Sequence, residues 1–185
     1  MGYSRKGVER EHLTEAGLET VPQSTARLCG RSGKDLQASV SDGRIEMDEV
    51  FDGGYVGTES EAGNESLLRK HGVDTVISLT HSTPDTGDVP RIDVPMRDGP
   101  QNSYQAFADA VEEVVKQREN GRCVLIHCSA GSSRSPSVAA AAVTRLSDTT
   151  LNDAFNQMIE RRSETDPHDA LVRQAAEFTE QTDSG

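Results

Sequence analysis

Val124-Leu125-Ile126-His127-Cys128-Ser129-Ala130-Gly131-Ser132-Ser133-Arg134-Ser135 is the stretch that decides the fold. Three apolar residues lead into it, and the Ala-rich segment Pro136 to Val143 follows it. That order reads as a buried strand, a tight loop and a helix, with a cysteine at the strand end and an arginine where the helix begins. A loop of this shape turns successive backbone N–H groups inward, and the helix N-terminus behind them adds its dipole, so together they cradle an anion. The same field lowers the pKa of a thiol at its floor. A nucleophile and a phosphate cradle on one loop point to phosphoryl transfer through a phosphocysteine.

With 5 His, 3 Cys and 15 Arg in 185 residues, His-Cys-x5-Arg arises by chance at roughly 0.007 per chain, so the motif is specific. The bland alternative is a buried, inert cysteine at a strand end. In the reactive reading Cys128 attacks phosphorus, and the planar fork of Arg134 holds phosphate oxygens. Gly131 allows the tight turn. Ser135 donates to the sulfur when it leaves, and His127 orients the loop. Ser129, Ala130, Ser132 and Ser133 contribute their N–H groups. The leaving oxygen needs a proton, usually from a carboxylic acid on a neighbouring loop. Asp98, in Val94-Pro95-Met96-Arg97-Asp98-Gly99-Pro100, lies 30 residues before Cys128. Asp-Gly-Pro is also good turn chemistry, so the residues alone leave acid and turn evenly balanced. Asp93 sits inside a strand pattern, and Asp85 and Asp88 lie on a solvated loop.

The loop resembles the signature of the cysteine-dependent protein tyrosine phosphatases, specifically the dual-specificity branch, which commonly reads His-Cys-x-Ala-Gly-x-Ser-Arg-Ser. Met47 to Gly57 is similar to that family's opening strand, and Leu67 to Leu79 to its first helix and second strand. Leu151-Asn152-Asp153-Ala154-Phe155, ending in Arg161-Arg162, resembles a late helix, so the likeness covers roughly residues 46 to 180. It implies that Asp98 is the acid. It further implies a protein phosphatase acting on phosphotyrosine, with phosphoserine and phosphothreonine as further candidates. Ser132 departs from the family pattern, where an aliphatic residue is frequent, which bears on the pocket wall and not on the nucleophile. Two alternatives stay open: a phosphate-binding module without turnover, and the same chemistry on RNA 5′-phosphates or inositol phosphates.

From residue 46 the chain alternates strand and helix signals. Strands are expected at Val50–Val56, Thr75–Leu79, Arg91–Val94 and Cys123–His127. Helices are expected at Glu59–His71, from Ser103 onward, after Arg134, around Leu151–Ile159 and at Asp169–Glu180. This pattern predicts an α/β fold with a central, mostly parallel sheet flanked by helices, and an active loop at a strand's C-terminal end. Leu151, Ala154, Phe155, Met158 and Ile159 form one apolar stripe.

Composition sets the outer limits. The chain has no run of 18 apolar residues and no secretory h-region, so the expectation is a soluble, cytoplasmic protein. Three cysteines do not make a disulfide framework, and Cys123 is too far along an extended strand to bridge Cys128, so a structural role is expected for it. No Cys/His cluster has zinc spacing; His12, His71, His81 and His168 read as surface or capping residues, and no metal or cofactor is expected. The formal net charge is −12, with 31 acidic residues against 15 arginines and 4 lysines. That balance resembles halophilic proteins of the archaeal type, where molar salt screens self-repulsion; ordinary solubility tuning is the alternative. It also disfavours nucleic acid and anionic membranes as partners. Residues 1–45 carry seven basic and six acidic side chains, and residues 46–185 carry twelve and twenty-five. The first segment is expected to be disordered or weakly structured. Its different charge suggests an extension ahead of a true start at Met47, with a docking tail as the rival reading. The catalytic domain is then 46–185.

Overall fold

The computed structural model describes residues 47–183, so the expectations for residues 1–45, and for His12, lie outside the described residues. Five strands form one sheet in the order β1-β2-β5-β3-β4: β1 Asp48–Phe51, β2 Gly54–Gly57, β3 Thr75–Ser78, β4 Arg91–Asp93 and β5 Val124–His127. β1 is antiparallel to β2, while β2, β5, β3 and β4 run parallel. The mostly parallel α/β sheet expected from the sequence is present. β5 is central and buried at every position, which is why it reads as an unbroken apolar run.

The helices are α1 Glu59–Ala62, α2 Glu65–Lys70, α3 Tyr104–Glu119, α4 Arg134–Leu146, α5 Leu151–Arg161 and α6 Asp169–Asp183. Strand alternation sends Val56, Ile126 and Ile77 to a large core under α3 to α6, and Tyr55, Leu125 and Val76 to a smaller one under α1 and α2. Ser103 caps α3 by accepting from the Ala106 N–H. Gly72, at φ +67°, follows α2 in the left-handed conformation that suits glycine there.

Three expectations need correction. The single strand Val50–Val56 is a hairpin of β1 and β2, because Gly53 at φ +62° turns the chain and its N–H donates to Glu49 Oε1. The single helix Glu59–His71 is two, because Asn64 starts a new helix by capping Leu67 N after the weak helix former Gly63. Ile159, expected in the core stripe of α5, is 50 % exposed. Ala154 and Met158 carry that stripe, with Leu151 and Phe155 packed at its margin.

α4 is the pillar behind the loop. Ala139, Ala140, Ala141 and Ala142 are all fully buried, and four successive positions cover every side of a helix. Only small side chains let α3, α5 and α6 all approach it. Ala140→Leu is therefore expected to lower stability by about 1–3 kcal/mol, read as a drop in the urea midpoint. An unchanged midpoint would show that α4 is not enclosed on that side.

Candidate active site

Parallel pairing brings the C-terminal ends of β2, β3, β4 and β5 to one edge of the sheet. Cys128 follows β5 directly, and its N–H donates to Gly57 O at the end of β2. Ser133 immediately precedes α4 without a capping side-chain bond, so Cys128 to Ser133 arch between strand and helix. Gly131 is the turning point at φ +69°, where a Cβ would meet Gly57 O at 2.9 Å. Only glycine fits that turn. The N–H groups of Ser129, Ala130, Ser132 and Ser133 donate to no acceptor among the described residues, which leaves them available to an anion.

The Cys128 thiol is free and 2 % exposed. Burial alone would raise its pKa, yet the net shift is downward. The Ser135 hydroxyl, 3.3 Å from Sγ, is the strongest opposing influence, joined by the Ser135 backbone, the Arg134 charge and the Gly131 N–H at 3.2 Å. His127 lies beneath the loop, fully buried, with Nδ1 3.4 Å from Cys128 O. Burial holds its pKa down despite that contact, so the ring is neutral around pH 7.

Arg134 folds back over the strand ends. Its Nη1 donates to Leu79 O and Met96 O, both at 3.2 Å, and Nη2 donates to Ser129 Oγ at 3.0 Å. Nε is buried without a protein acceptor. The guanidinium is thus fixed at the rim with donor capacity left over for an anion.

Asp98 precedes a short 3-10 turn, Gly99–Gln101, and is exposed. Its Oδ1 accepts from Ser133 Oγ at 2.7 Å, which brings the carboxylate onto the loop that carries Cys128. The rival aspartates are engaged elsewhere: Asp93 with Arg91 and Asp88 with Arg69, both at 2.8 Å, and Asp85 with Gly87 N. The Asp98 segment is itself pinned. Asn102 accepts from Arg97 N and exchanges hydrogen bonds with Gln174 on α6. The His168 ring packs on Gly99, and its Nδ1 accepts from Ala170 N, a capping role.

Sequence reasoning did not single out four contributors: Ser133 as the tie to Asp98, the Asn102–Gln174 pair, Asp48, and Arg162 as a loop contact. Arg162 Nε donates to Gly131 O and Nη1 to Asp48 Oδ2. Burial raises the pKa of Asp48, an effect Arg162 partly offsets. Cys123 is disulfide-bonded rather than free, and not to Cys128. Among the described residues, no group of three or more His, Cys, Asp or Glu side chains could hold a metal ion, and no helix is long and apolar enough to cross a membrane.

Comparison with known proteins finds relatives of the chain and of its fold. Dual specificity protein phosphatase Mpk3 of Drosophila melanogaster is 27 % identical over 132 residues, covering 69 % of this chain and 32 % of Mpk3. Human dual specificity protein phosphatase 22 is 29 % identical over 134 residues, covering 71 % of this chain and 73 % of its own. The chain spans about a third of the length of the first curated relatives it matches. The crystal structure of human DUSP28 superposes with a TM-score of 0.68 at 22 % identity, covering 78 % of this chain and 99 % of that one, and so shares the fold. The family model for the dual specificity phosphatase catalytic domain matches residues 54–181, and the chain belongs to that family.

Proposed function

We propose that the chain is a cysteine-dependent protein phosphatase that hydrolyses phosphotyrosine, and phosphoserine or phosphothreonine in the same site, through a phosphocysteine. The observation that carries the reading is the Cys128 sulfur, buried yet supplied with donors by Ser135 and Gly131, at the floor of a loop whose remaining N–H groups are free. The substrate phosphate sits on the N–H groups of Ser129 to Ser133, with Arg134 gripping its oxygens. The Cys128 thiolate attacks phosphorus. The S–P bond forms as the P–O bond to the side chain breaks, and Asp98 gives its proton to the departing oxygen. Water then attacks phosphorus and loses a proton to the Asp98 carboxylate, while the S–P bond breaks. Inorganic phosphate leaves, and Ser135 stabilises the thiolate that returns. His127 orients the loop through Cys128 O. No metal or redox step is needed for this balance.

Residues 46–185 form the catalytic unit in this reading, which operates in the cytoplasm at molar salt. The support for the salt requirement is the charge of −12 with only 4 lysines. Local donors, not global charge, draw the anionic substrate.

Hydrolysis of a chromogenic aryl phosphate tests the class. Turnover is expected in wild type and lost in Cys128→Ser, to survive EDTA, to be blocked by vanadate, and to rise from low to molar KCl. Activity without Cys128, or a need for added divalent metal, would refute the phosphocysteine path. Phosphate binding without turnover would leave a binding module, and a flat salt response would remove halophily alone. Asp98→Asn is expected to slow substrates with poor leaving groups by about 10²–10⁴ and an activated aryl phosphate far less. Equal losses on both would strip Asp98 of the acid role. Ser135→Ala removes a donor to the thiolate, so the pH midpoint of Cys128 alkylation by iodoacetamide should move upward. A midpoint that stays put would mean the hydroxyl does not stabilise the ion.

A further inference from the structure

Gly131 is held from both sides. Its N–H donates to Cys128 Sγ at 3.2 Å, and its carbonyl accepts from Arg162 Nε at 2.9 Å. Being glycine, it contributes no side chain to stiffen its own torsions. Instead a guanidinium fills the space a side chain would need: a Cβ there would lie 2.7 Å from Arg162 Nη2. Arg162 follows α5 directly and is 6 % exposed. Its Nη1 donates to Asp48 Oδ2 on β1 at 2.6 Å, which supplies the countercharge a buried guanidinium requires.

The consequence is geometric. A trans peptide sets its C=O and the following N–H on opposite sides. Pinning the Gly131 carbonyl toward Arg162 therefore turns the Ser132 N–H the other way, into the cradle. The next carbonyl is held as well, since Asp166 N donates to Ser132 O at 2.8 Å. His168 N then donates to Ser133 Oγ at 3.1 Å, which leaves that hydroxyl's proton for Asp98. Three consecutive loop residues are thus braced by the segment between α5 and α6.

We propose that Arg162, anchored by Asp48, is a positioning residue for the phosphate loop: its bond to the Gly131 carbonyl fixes the peptide plane that follows Gly131, and its guanidinium packs against the glycine so as to confine the torsions that aim the plane before it. The following plane presents its N–H to the bound oxyanion, and the preceding one presents its N–H to the Cys128 thiolate. Arg162 touches no reacting atom. This inference rests on the phosphatase reading.

The test uses the full chain with Arg162→Met, Arg162→Lys and Asp48→Asn beside wild type. Melting temperature, the pH midpoint of Cys128 alkylation, and vanadate affinity by calorimetry are measured on each. Arg162→Met is expected to weaken vanadate binding about tenfold or more, the size of one charge-assisted hydrogen bond, and to move the alkylation midpoint upward. Arg162→Lys keeps the charge without the fork and should recover only part of both, and Asp48→Asn should shift both in the same direction by less. A lower melting temperature with both readouts unmoved would overturn the proposal and leave Arg162 a purely structural residue. A lysine variant indistinguishable from wild type would overturn it too. If Arg162→Met does not fold, the other two variants decide on the same readouts. A wild-type Cys128 that ionises like an ordinary thiol and binds no vanadate would sink the phosphatase reading itself; an intact wild type with unmoved variants sinks only the role of Arg162.

Discussion

A sulfur whose ionisation is favoured although almost no water reaches it is the constraint on which this structure turns. Burial opposes the thiolate more than any other single influence on Cys128, so the charge exists only if fixed donors replace the water it lost. Those partners are the hydroxyl and the amide of Ser135, the amide of Gly131 and the charge of Arg134. All belong to the loop or the first turn of the helix behind it. Each must sit within hydrogen-bond reach of one atom or over one short loop. The fold therefore has to fix a backbone segment, not merely deliver a side chain.

The sheet and α4 provide the coarse fix. β5 ends at His127 and α4 begins at Arg134, with all of β5 and the stretch Ser135 to Val143 of α4 buried, so the six-residue span between them has two anchored ends. The finer fix comes from carbonyls. Arg134 takes up the carbonyls of Leu79 and Met96 beyond β3 and β4, and Arg162 takes up that of Gly131. Two arginines thus tie the same loop to its surroundings, one to the strand ends and one to β1. One has donor capacity remaining toward an anion, and the other is committed to the protein through Asp48. Ser133 joins this loop to the Asp98 segment, so that a displacement of the loop would carry the carboxylate with it.

This division explains what the sequence disclosed. His127 to Ser135 is one contiguous motif with strand before and helix after, and its chemistry follows from local order. The sheet was legible because β3 and β5 are short apolar runs bounded by turn residues. Elements failed where a local rule was overridden. Glu59–His71 keeps helical spacing across Gly63-Asn64, yet Asn64 caps a new helix there. Ile159 fits a periodic stripe that α5 turns away from the core. The braces were invisible for a different reason: Arg162 meets partners 31 and 114 residues away, and Asn102 meets Gln174 at a separation of 72. An arginine pair at a helix end looks the same whether it faces solvent or a loop. Asp48, in a short edge strand, gives no sign of a partner either.

The charge of the chain and the charge of the site obey different rules. The acidic side chains among the described residues lie largely where water and ions reach them, and their repulsion of an anion fades over about 8–10 Å at ordinary salt and about 3 Å at molar salt. The donors around Cys128 are buried, so ions screen them far less. Raising salt therefore removes the opposing field while leaving the attractive one, and the balance at the loop improves without any change in the loop. A surface this acidic is compatible with an anion site only because the site's own donors are inside the protein, held by backbone geometry rather than by surface cations.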